Sequence, residues 1–461
     1  MKSHFDPDLI RAYDVNGPRY TSYPTANLFA ENLPDNALDS ALTELPENAP
    51  LSLYLHVPFC ATVCYYCACN KIITNNRKHA ITYLARLYRE MEMIQPGLPA
   101  GHLVEQLHFG GGTPTYLTNE QFTEVFEHLN ANFNLLDTNE RDFSIEIDPR
   151  TVDPERIAFL SRLGINRMSL GIQDFDPDVQ LAVNRLQSEA DTAGIINAAR
   201  DNGVKSLSVD LIYGLPQQNL ERFARTLERI IHLSPDRISL YSYAHLPARF
   251  KTQRQIKSEQ LPNAETKLML LQLAVETLTD AGYVHVGMDH FAKPNDELVL
   301  AQQHGGLHRN FQGYTTHGHC DLIGLGISAI SSIGNLYCQN VKTLDDYVEA
   351  IDSGQHPVER GLHLSEDDRM VRALIGTLMC HYELDISAFE KDWGVDLSTA
   401  FPDAWPRLES LAADDLVRLP RQDDATPRLQ VTPEGRYLIR NVAMAFDRYL
   451  PAQTTGFSKA I

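Results

Sequence analysis

Leu51-Ser-Leu-Tyr-Leu-His-Val-Pro-Phe-Cys60-Ala-Thr-Val-Cys64-Tyr-Tyr-Cys67-Ala-Cys69 places two signals side by side. Leu51–Val57 reads as a strand, and the residues after it carry four closely spaced cysteines. Working outward, the chain alternates regularly from about 50 to 245. Ile81, Leu84, Leu87, Tyr88, Met91 and Ile94 recur at helical spacing, which predicts a helix near 77–95. Gln106–Phe109 is a second strand and runs into Gly110-Gly-Gly112. Thr118 with Gln121 makes a capping box, and Leu117 with Phe122 a hydrophobic staple. Phe143–Asp148 is a third strand. Asp153-Pro154 opens the next helix as N-cap and N1, and Gly164 closes it. Arg167–Gln173, Ser206–Ile212 and Arg237–Tyr243 are the fourth, fifth and sixth strands, with helical patterns between them.

Six strand–helix units in succession imply right-handed parallel crossovers. An open doubly wound sheet and a barrel-like sheet both satisfy the pattern, and both gather chemistry at the carboxyl ends of the strands. The polar residues obey that rule. The cysteine loop follows strand one and the glycine run follows strand two. Glu146 lies near the end of strand three, Gln173 ends strand four, Asp210 is late in strand five, and Ala244 follows strand six.

Beyond 250 the pattern loosens. A helix is expected near 264–281, and the Gly-, His- and Asn-rich stretch 287–340 reads as a cover over the barrel mouth. From about 365 a helical domain begins. Leu416–Leu419, Arg428–Val431 and Tyr437–Ile439 there suggest a strand, a hairpin return and a helix, as in a winged helix. The expected divisions are an N-terminal extension at 1–48, the repeated core at 49–250, a barrel extension with cover loops at 251–362, and the C-terminal domain at 363–461.

Composition narrows the function. The 461 residues carry a net charge of −20, with a hydrophobic fraction of 43% and a charged fraction of 22%. Those are the proportions of a globular protein. The acidity disfavours nucleic acid, because phosphate binding needs clustered Lys and Arg. Residues 365–461 hold 16 Asp and Glu against 11 Lys and Arg, so the winged-helix pattern is not that of a DNA reader. No apolar run approaches the ~18 residues of a membrane span. The N-terminus has no secretory apolar region, so a cytoplasmic, monomeric protein is expected. Seven cysteines without an export signal favour metal or redox chemistry over disulfides.

Cys60, Cys64 and Cys67 can converge on one metal centre. A closed zinc site needs four ligands, usually on two separated arms. Here the arms are fused, and Cys69 is too close to Cys67 for relaxed tetrahedral closure. An iron–sulfur cluster fits better, because its irons offer separate corners to closely spaced thiolates. The C-x₃-C-x₂-C spacing after a first strand, inside a β/α array, resembles the radical S-adenosylmethionine (SAM) enzymes. Tyr54–Cys60, Cys69-Asn-Lys71, Gly110–Thr115, Gly171–Phe175 and Asp210–Pro216 resemble one family within them, the oxygen-independent coproporphyrinogen III oxidases. The likeness extends through Tyr20–Thr25, Gly287–Ala292, His308–Thr316 and Phe457-Ser-Lys459, and so spans essentially the whole chain.

The resemblance implies an α/β fold: a partial (β/α)6 barrel of the radical SAM type, with an N-terminal extension and a mostly helical C-terminal domain. It implies one [4Fe–4S] cluster held by Cys60, Cys64 and Cys67, and two SAM molecules. An electron from the cluster would split SAM into a 5′-deoxyadenosyl radical that takes a hydrogen from a propionate β-carbon. Loss of CO₂ and one electron would leave a vinyl group. Done twice, this converts coproporphyrinogen III to protoporphyrinogen IX on the way to haem. Flavodoxin or ferredoxin is the expected electron donor.

Tyr54, Tyr66, Gly111, Gly112, Thr113, Glu146, Gln173, Arg185, Asp210, Ala244 and Ile330 match the family's SAM contacts. Many radical SAM enzymes carry a glutamate within the glycine run; this chain, like the family, does not. Cys69 matches the family's extra cysteine, near the site but not a ligand. The substrate is a tetra-anion, so it needs fixed cations, for which Arg309 and Gln312 are candidates. His56 and His290 are possible hydrogen-bond donors. A haem-trafficking chaperone of the same superfamily is the main alternative. Such proteins typically lack a cysteine at the position of Cys69 and the Arg19-Tyr-Thr-Ser-Tyr-Pro stretch, and this chain has both. Another radical SAM enzyme, such as a methyltransferase, and a zinc-stapled regulator are the remaining readings.

Overall fold

In a computed structural model, residues 5–421 and 424–450 are described. The terminal Phe457-Ser-Lys459 motif lies outside them. The chain divides into two units. One comprises residues 28–263 and 319–363, and the other takes the remainder.

The first unit is built on six parallel strands: β1 (Pro50–Val57), β2 (Leu103–Gly111), β3 (Asp142–Ile147), β4 (Arg167–Gln173), β5 (Ser206–Tyr213) and β6 (Arg237–Ser242). They pair in sequence order, as right-handed crossovers dictate. The helices between them are α1 (Lys78–Ile94), α2 (Asn119–Asn132), α3 (Pro154–Arg162), α4 (Pro177–Ala182), α5 (Glu189–Asp201) and α6 (Leu220–Leu233). Five of the six start on a side chain that accepts from the first turn: Thr118, Asp153, Asp176, Ser188 and Asn219. The expected capping box at Thr118 and Gln121 is present.

Parallel strands covered on both faces read as continuous apolar runs. These do not. Leu53, Leu55, Leu107, Phe109, Ile145, Leu170, Val209 and Leu240 are buried on one face. On β2 that face packs on α2, where Phe109 lies 5.5 Å from Phe122. The other face is polar. Ser52 Oγ donates to Gln106 Oε1 at 2.9 Å, His108 Nδ1 lies 2.6 Å from Ser144 Oγ, and Ser169 Oγ lies 3.5 Å from Asp210 Oδ2. The alternation assigns one face of the partial barrel to helices and leaves the other for polar groups.

Part of the stretch read as a cover is sheet instead. β7 (Asp321–Leu325) pairs parallel to β1 on the side away from β2. β8 (Ile330–Ile333), β9 (Leu336–Asn340) and β10 (Val358–His363) continue outward, antiparallel. Their short segments, broken by Gly324, Gly326 and Gly334, hid the strands. The glycine at 324 is required, since a Cβ there would stand 2.6 Å from the Ile330 carbonyl oxygen.

The apolar stripe of α1 also departs from expectation. Ile81 is 61% exposed, and the buried line is Ala80, Tyr83, Leu84, Leu87, Glu90, Met91 and Ile94. Stepping back from Leu84 by four residues rather than three gives the true 3.6-residue period. That line carries two polar groups. Glu90 accepts from the Gly326 amide at 2.7 Å, Asn340 Nδ2 at 2.8 Å and the Tyr347 hydroxyl at 2.6 Å. Tyr83 donates to the His56 carbonyl at 2.5 Å. Helix α1 thereby fixes the end of β1, where the cysteine loop begins.

In the other unit, the helix Glu366–His381 starts on a capping box formed by Ser365 and Asp368. Glu383–Asp385, Arg428–Val431 and Val417–Arg418 form a three-stranded antiparallel sheet. Ile386–Trp393, Leu397–Ala400 and Ala404–Ala413 lie between its first strand and its hairpin, and Ile439–Ala443 follows it.

Every polar contact of Glu90 is an acceptance. Glu90→Gln would set an amide N–H against those donors and is expected to cost about 2 kcal/mol of stability. A urea midpoint equal to that of the unchanged chain would show that the network contributes nothing.

Candidate active site

The cysteine loop is tied down at its middle, on either side of Cys64. The Tyr65 amide donates to the Val183 carbonyl at 3.0 Å, and Asn184 Nδ2 to the Val63 carbonyl at 2.7 Å. The side chain of Tyr66 packs against a buried cluster that includes Val183, Leu215 and Tyr243.

Each of the three expected ligand sulfurs has its own donor. Thr113 Oγ1 donates to Cys60 Sγ at 3.3 Å. Arg150 Nη2 and Arg185 Nη1 both lie 3.4 Å from Cys64 Sγ. The ammonium of Lys71, which donates to the Cys67 carbonyl at 2.9 Å, also acts on the Cys67 thiol. Burial pushes the Cys60 thiol up to about 11, against the pull of the Thr113 hydroxyl. Cys67 is brought down to about 6, mainly by a hydrogen bond from the Cys69 thiol and by Lys71, against its burial. Cys69 thus serves Cys67 as a donor. Three thiols, each beside a donor able to compensate its anion once a metal displaces the proton, form a donor set that suits an iron–sulfur cluster.

The two arginines are held by one carboxylate. Asp148 Oδ2 lies 2.7 Å from Arg150 Nη2 and 3.1 Å from Arg185 Nη1. Burial alone would raise the Asp148 carboxyl, but the guanidiniums hold it below its usual range. Arg185, itself buried, also donates to the Gly171 carbonyl at 2.5 Å. Arg150 and Asp148 escaped the sequence reading, because a short Asp-Pro-Arg turn after a strand carries no signal of its own.

The glycine run is set by contact. A Cβ on Gly110 would stand 2.9 Å from the Tyr54 ring and 3.1 Å from Glu146 Oε1. One on Gly111, whose φ is +114°, would stand 2.8 Å from the His56 ring, and one on Gly112 would stand 2.6 Å from the Pro58 carbonyl oxygen. So Gly110 and Gly111 leave room for the Tyr54, Glu146 and His56 side chains, and Gly112 for the backbone of the loop after β1. The Gly111 amide donates to Glu146 Oε2 at 3.3 Å, and His108 Nε2 lies 3.4 Å from Glu146 Oε1. Tyr54 stacks on His108 with ring centroids 5.8 Å apart.

The tautomer of His56 follows from its partners. Nε2 lies 3.0 Å from the Asn70 carbonyl, which only accepts, so Nε2 carries the proton. Nδ1 then accepts from the Tyr54 hydroxyl at 3.1 Å. Burial lowers the pKa of His56, which keeps the ring neutral. Both nitrogens are engaged within the protein.

The remaining expected residues come together on the same side. Gln173 takes a positive φ of 69°, and its Nε2 crowds Gly171 beside Arg185. Burial, with the charge of Glu146, raises the Asp210 carboxyl to about 7. Ala244 and Tyr66 are joined by a residue the sequence did not single out. The buried Gln253 gives Nε2 to the Tyr66 carbonyl at 3.0 Å and to the Ala244 carbonyl at 3.2 Å. Ile330 abuts Gly324, the β7 partner of Tyr54.

Arg309 and Gln312 belong to the other unit. There Arg309 Nη1 and Gln312 Nε2 are buried with no hydrogen-bond partner among the described residues. Arg309 packs 4.7 Å over the Tyr314 ring, which is edge-on to His290. Arg440 is buried nearby, and burial with the charges of Arg19 and Arg309 brings it down to about 9.

Comparison with known proteins shows a likeness over almost the whole chain. Residues 54–230 match the Radical SAM superfamily, and residues 364–438 match the HemN C-terminal domain. The oxygen-independent coproporphyrinogen III oxidase of Pseudomonas aeruginosa is 51% identical over 459 residues, 99% of each chain. That of Escherichia coli is 45% identical, covering 99% of this chain and 98% of its own. The solved structure of the Escherichia coli coproporphyrinogen III oxidase, described as a radical SAM enzyme, superposes with a TM-score of 0.91 at 44% identity. It covers 98% of this chain and 100% of its own.

The Asp210 shift has a consequence for stability. An unfolded aspartate loses its proton near pH 4, whereas the folded chain keeps it to about 7. Between those values the folded state binds more protons, so this group makes stability fall as pH rises. Asp210→Asn is expected to flatten the decline between pH 5 and 7 in urea unfolding. Parallel curves for the two proteins would refute the assignment.

Proposed function

The chain belongs to the oxygen-independent coproporphyrinogen III oxidases of the radical SAM superfamily, and from that premise we propose how its own residues serve the reaction. The activity is the oxidative decarboxylation of two propionate side chains of coproporphyrinogen III to vinyl groups, giving protoporphyrinogen IX without oxygen. A [4Fe–4S] cluster and SAM supply the electron and the 5′-deoxyadenosyl radical that begin each cycle.

In this reading Cys60, Cys64 and Cys67 would hold the cluster, which would supply the electron that reduces SAM. The observation that carries the reading is that each of these sulfurs meets a donor from a different part of the chain. Cys69 assists Cys67 and is not a ligand. The glycines at 111 and 112 let the backbone approach SAM, with Tyr54, Tyr66 and Thr113 alongside. Glu146 receives the cationic methionine end. Gln173, Arg185, Asp210, Ala244 and Ile330 border a second SAM molecule. Asp210, protonated below about pH 7, offers that molecule a hydrogen-bond donor.

Arg309 and Gln312 take substrate propionate. Arg309 Nη1 and Gln312 Nε2, buried without a partner among the described residues, are the donors a carboxylate needs, and a second guanidinium at Arg440 adds to the cationic field. His56 has no free nitrogen, so it positions Tyr54 instead of touching substrate. The electron donor is a low-potential carrier of the flavodoxin or ferredoxin class. The protein works as a cytoplasmic monomer.

The test is anaerobic turnover with SAM, dithionite and coproporphyrinogen III. Both 5′-deoxyadenosine and protoporphyrinogen IX are expected, and the absence of both defeats the reading. Replacing Cys60, Cys64 or Cys67 by Ser is expected to abolish the iron-dependent absorbance near 400 nm, whereas Cys69→Ser retains it. Arg309→Gln is expected to raise KM by about 10- to 100-fold, the loss of one charge-assisted hydrogen bond, with 5′-deoxyadenosine still formed. An unchanged KM removes Arg309 from the substrate site.

A further inference from the structure

Glu105, His319 and Cys320 form a second group of metal-binding side chains, at the opposite ends of the strands from the cysteine loop. Their ligand atoms all lie within 4.8 Å of one another. Glu105 is six residues before Gly111 on β2, which puts it roughly 20 Å from the glycine run.

The topology delivers each of the three. β2 slips by one residue against β1: Leu51 pairs with Val104, and Ser52 already pairs with Gln106. Glu105 is the extra residue. The slip is visible in burial, since Val104 and Leu107 are both fully buried although three residues apart. A bulge of this kind re-aims the side chain it carries. His319 and Cys320 immediately precede β7, whose first residue, Asp321, pairs with the same Leu51. The three side chains therefore arrive from the two strands that flank β1.

His319 Nε2 lies 2.9 Å from Glu105 Oε2, and Cys320 Sγ lies 3.9 Å from the same oxygen. A histidine–carboxylate pair accounts for the first contact. The Cys320 thiol donates to the same carboxylate, and burial with the charges of Glu105, Asp321 and Asp142 keeps it protonated, so a soft anion is available here only to a cation that all three side chains can reach. The His319 side chain is 55% exposed, so a solvent ion has access.

We propose that Glu105, His319 and Cys320 bind one zinc-class divalent cation, separate from the iron–sulfur cluster, with water in the fourth position. One thiolate, one imidazole and one carboxylate make a donor set that zinc accepts, at about 2.3 Å to sulfur and about 2.0–2.2 Å to nitrogen and oxygen. Binding displaces one proton, from the thiol; the imidazole binds as the neutral ring, with its single proton carried on Nδ1 once Nε2 turns from Glu105 to the ion. The ion then braces the start of β7 to β2 across β1. This site rests on the residues at the amino ends of the strands and not on the assignment of the active site.

The test uses the untagged, iron-reconstituted full-length protein, exposed anaerobically to zinc and then to a competing chelator. Iron and zinc are counted together, and the zinc shell is read by X-ray absorption. About one zinc per chain is expected, with a single sulfur and the remaining ligands nitrogen or oxygen. Cys320→Ser and His319→Ala should each weaken zinc retention at least about tenfold, with iron content and 5′-deoxyadenosine formation unchanged. The exposed His319 makes its variant the safer of the two for folding. The proposal is overturned by no retained zinc, by retention that both variants leave unaltered, or by a zinc shell of three or more sulfurs, which would place the ion in the cysteine loop.

Discussion

Three sulfurs in a partly buried loop draw donors from separate segments of the chain, and those contacts organise the carboxyl ends of the strands. A thiolate removed from water is costly unless donors replace the solvent. The chain carries a net charge of −20, so general electrostatics offers no help. The relief is local. Thr113 serves Cys60, two arginines serve Cys64, and Lys71 with Cys69 serves Cys67. The arginines would repel each other without Asp148 between them. Their positions fix the turn after β3 and the segment after α4, so strands distant in sequence are held in register by one charge balance.

The second constraint is space. At the carboxyl ends of β1 and β2, a Cβ on Gly110 would crowd Tyr54 and Glu146, one on Gly111 the His56 ring, and one on Gly112 the Pro58 backbone. The same proximity sets Tyr54 beside His108 and Glu146. Beneath it, α1 reaches the end of β1 through Tyr83 and reaches β7 and β9 through Glu90. The loop that must hold a redox group therefore springs from a strand end fixed from two directions. Such support matters where geometry has to survive repeated turnover.

Much of this was legible in the sequence. The six strands and their helices follow from periodicity and capping, and the cysteine spacing from the chemistry of sulfur ligands. The residues gathered at the strand ends, from Tyr54 to Ala244, were identified by a family likeness, and the fold then brings them to one side. Some details were lost because their signal is weak in one dimension. The α1 stripe was misphased at Ile81, which left Tyr83 and Glu90 unremarked. The strands from Asp321 to Asn340 were mistaken for loop because they are four or five residues long and interrupted by glycine. Gln253 carries no pattern, yet it joins Tyr66 to Ala244.

The sequence by itself determined the parallel β/α array, the polar strand ends and the thiol chemistry, because strand period, caps and ligand spacing are local properties of the chain. Only the tertiary structure decided which donor compensates which sulfur, why three glycines stand in a row, and that Glu105 meets His319 and Cys320. Those facts depend on distances between residues dozens to hundreds of positions apart, and such distances exist only once the strands have paired.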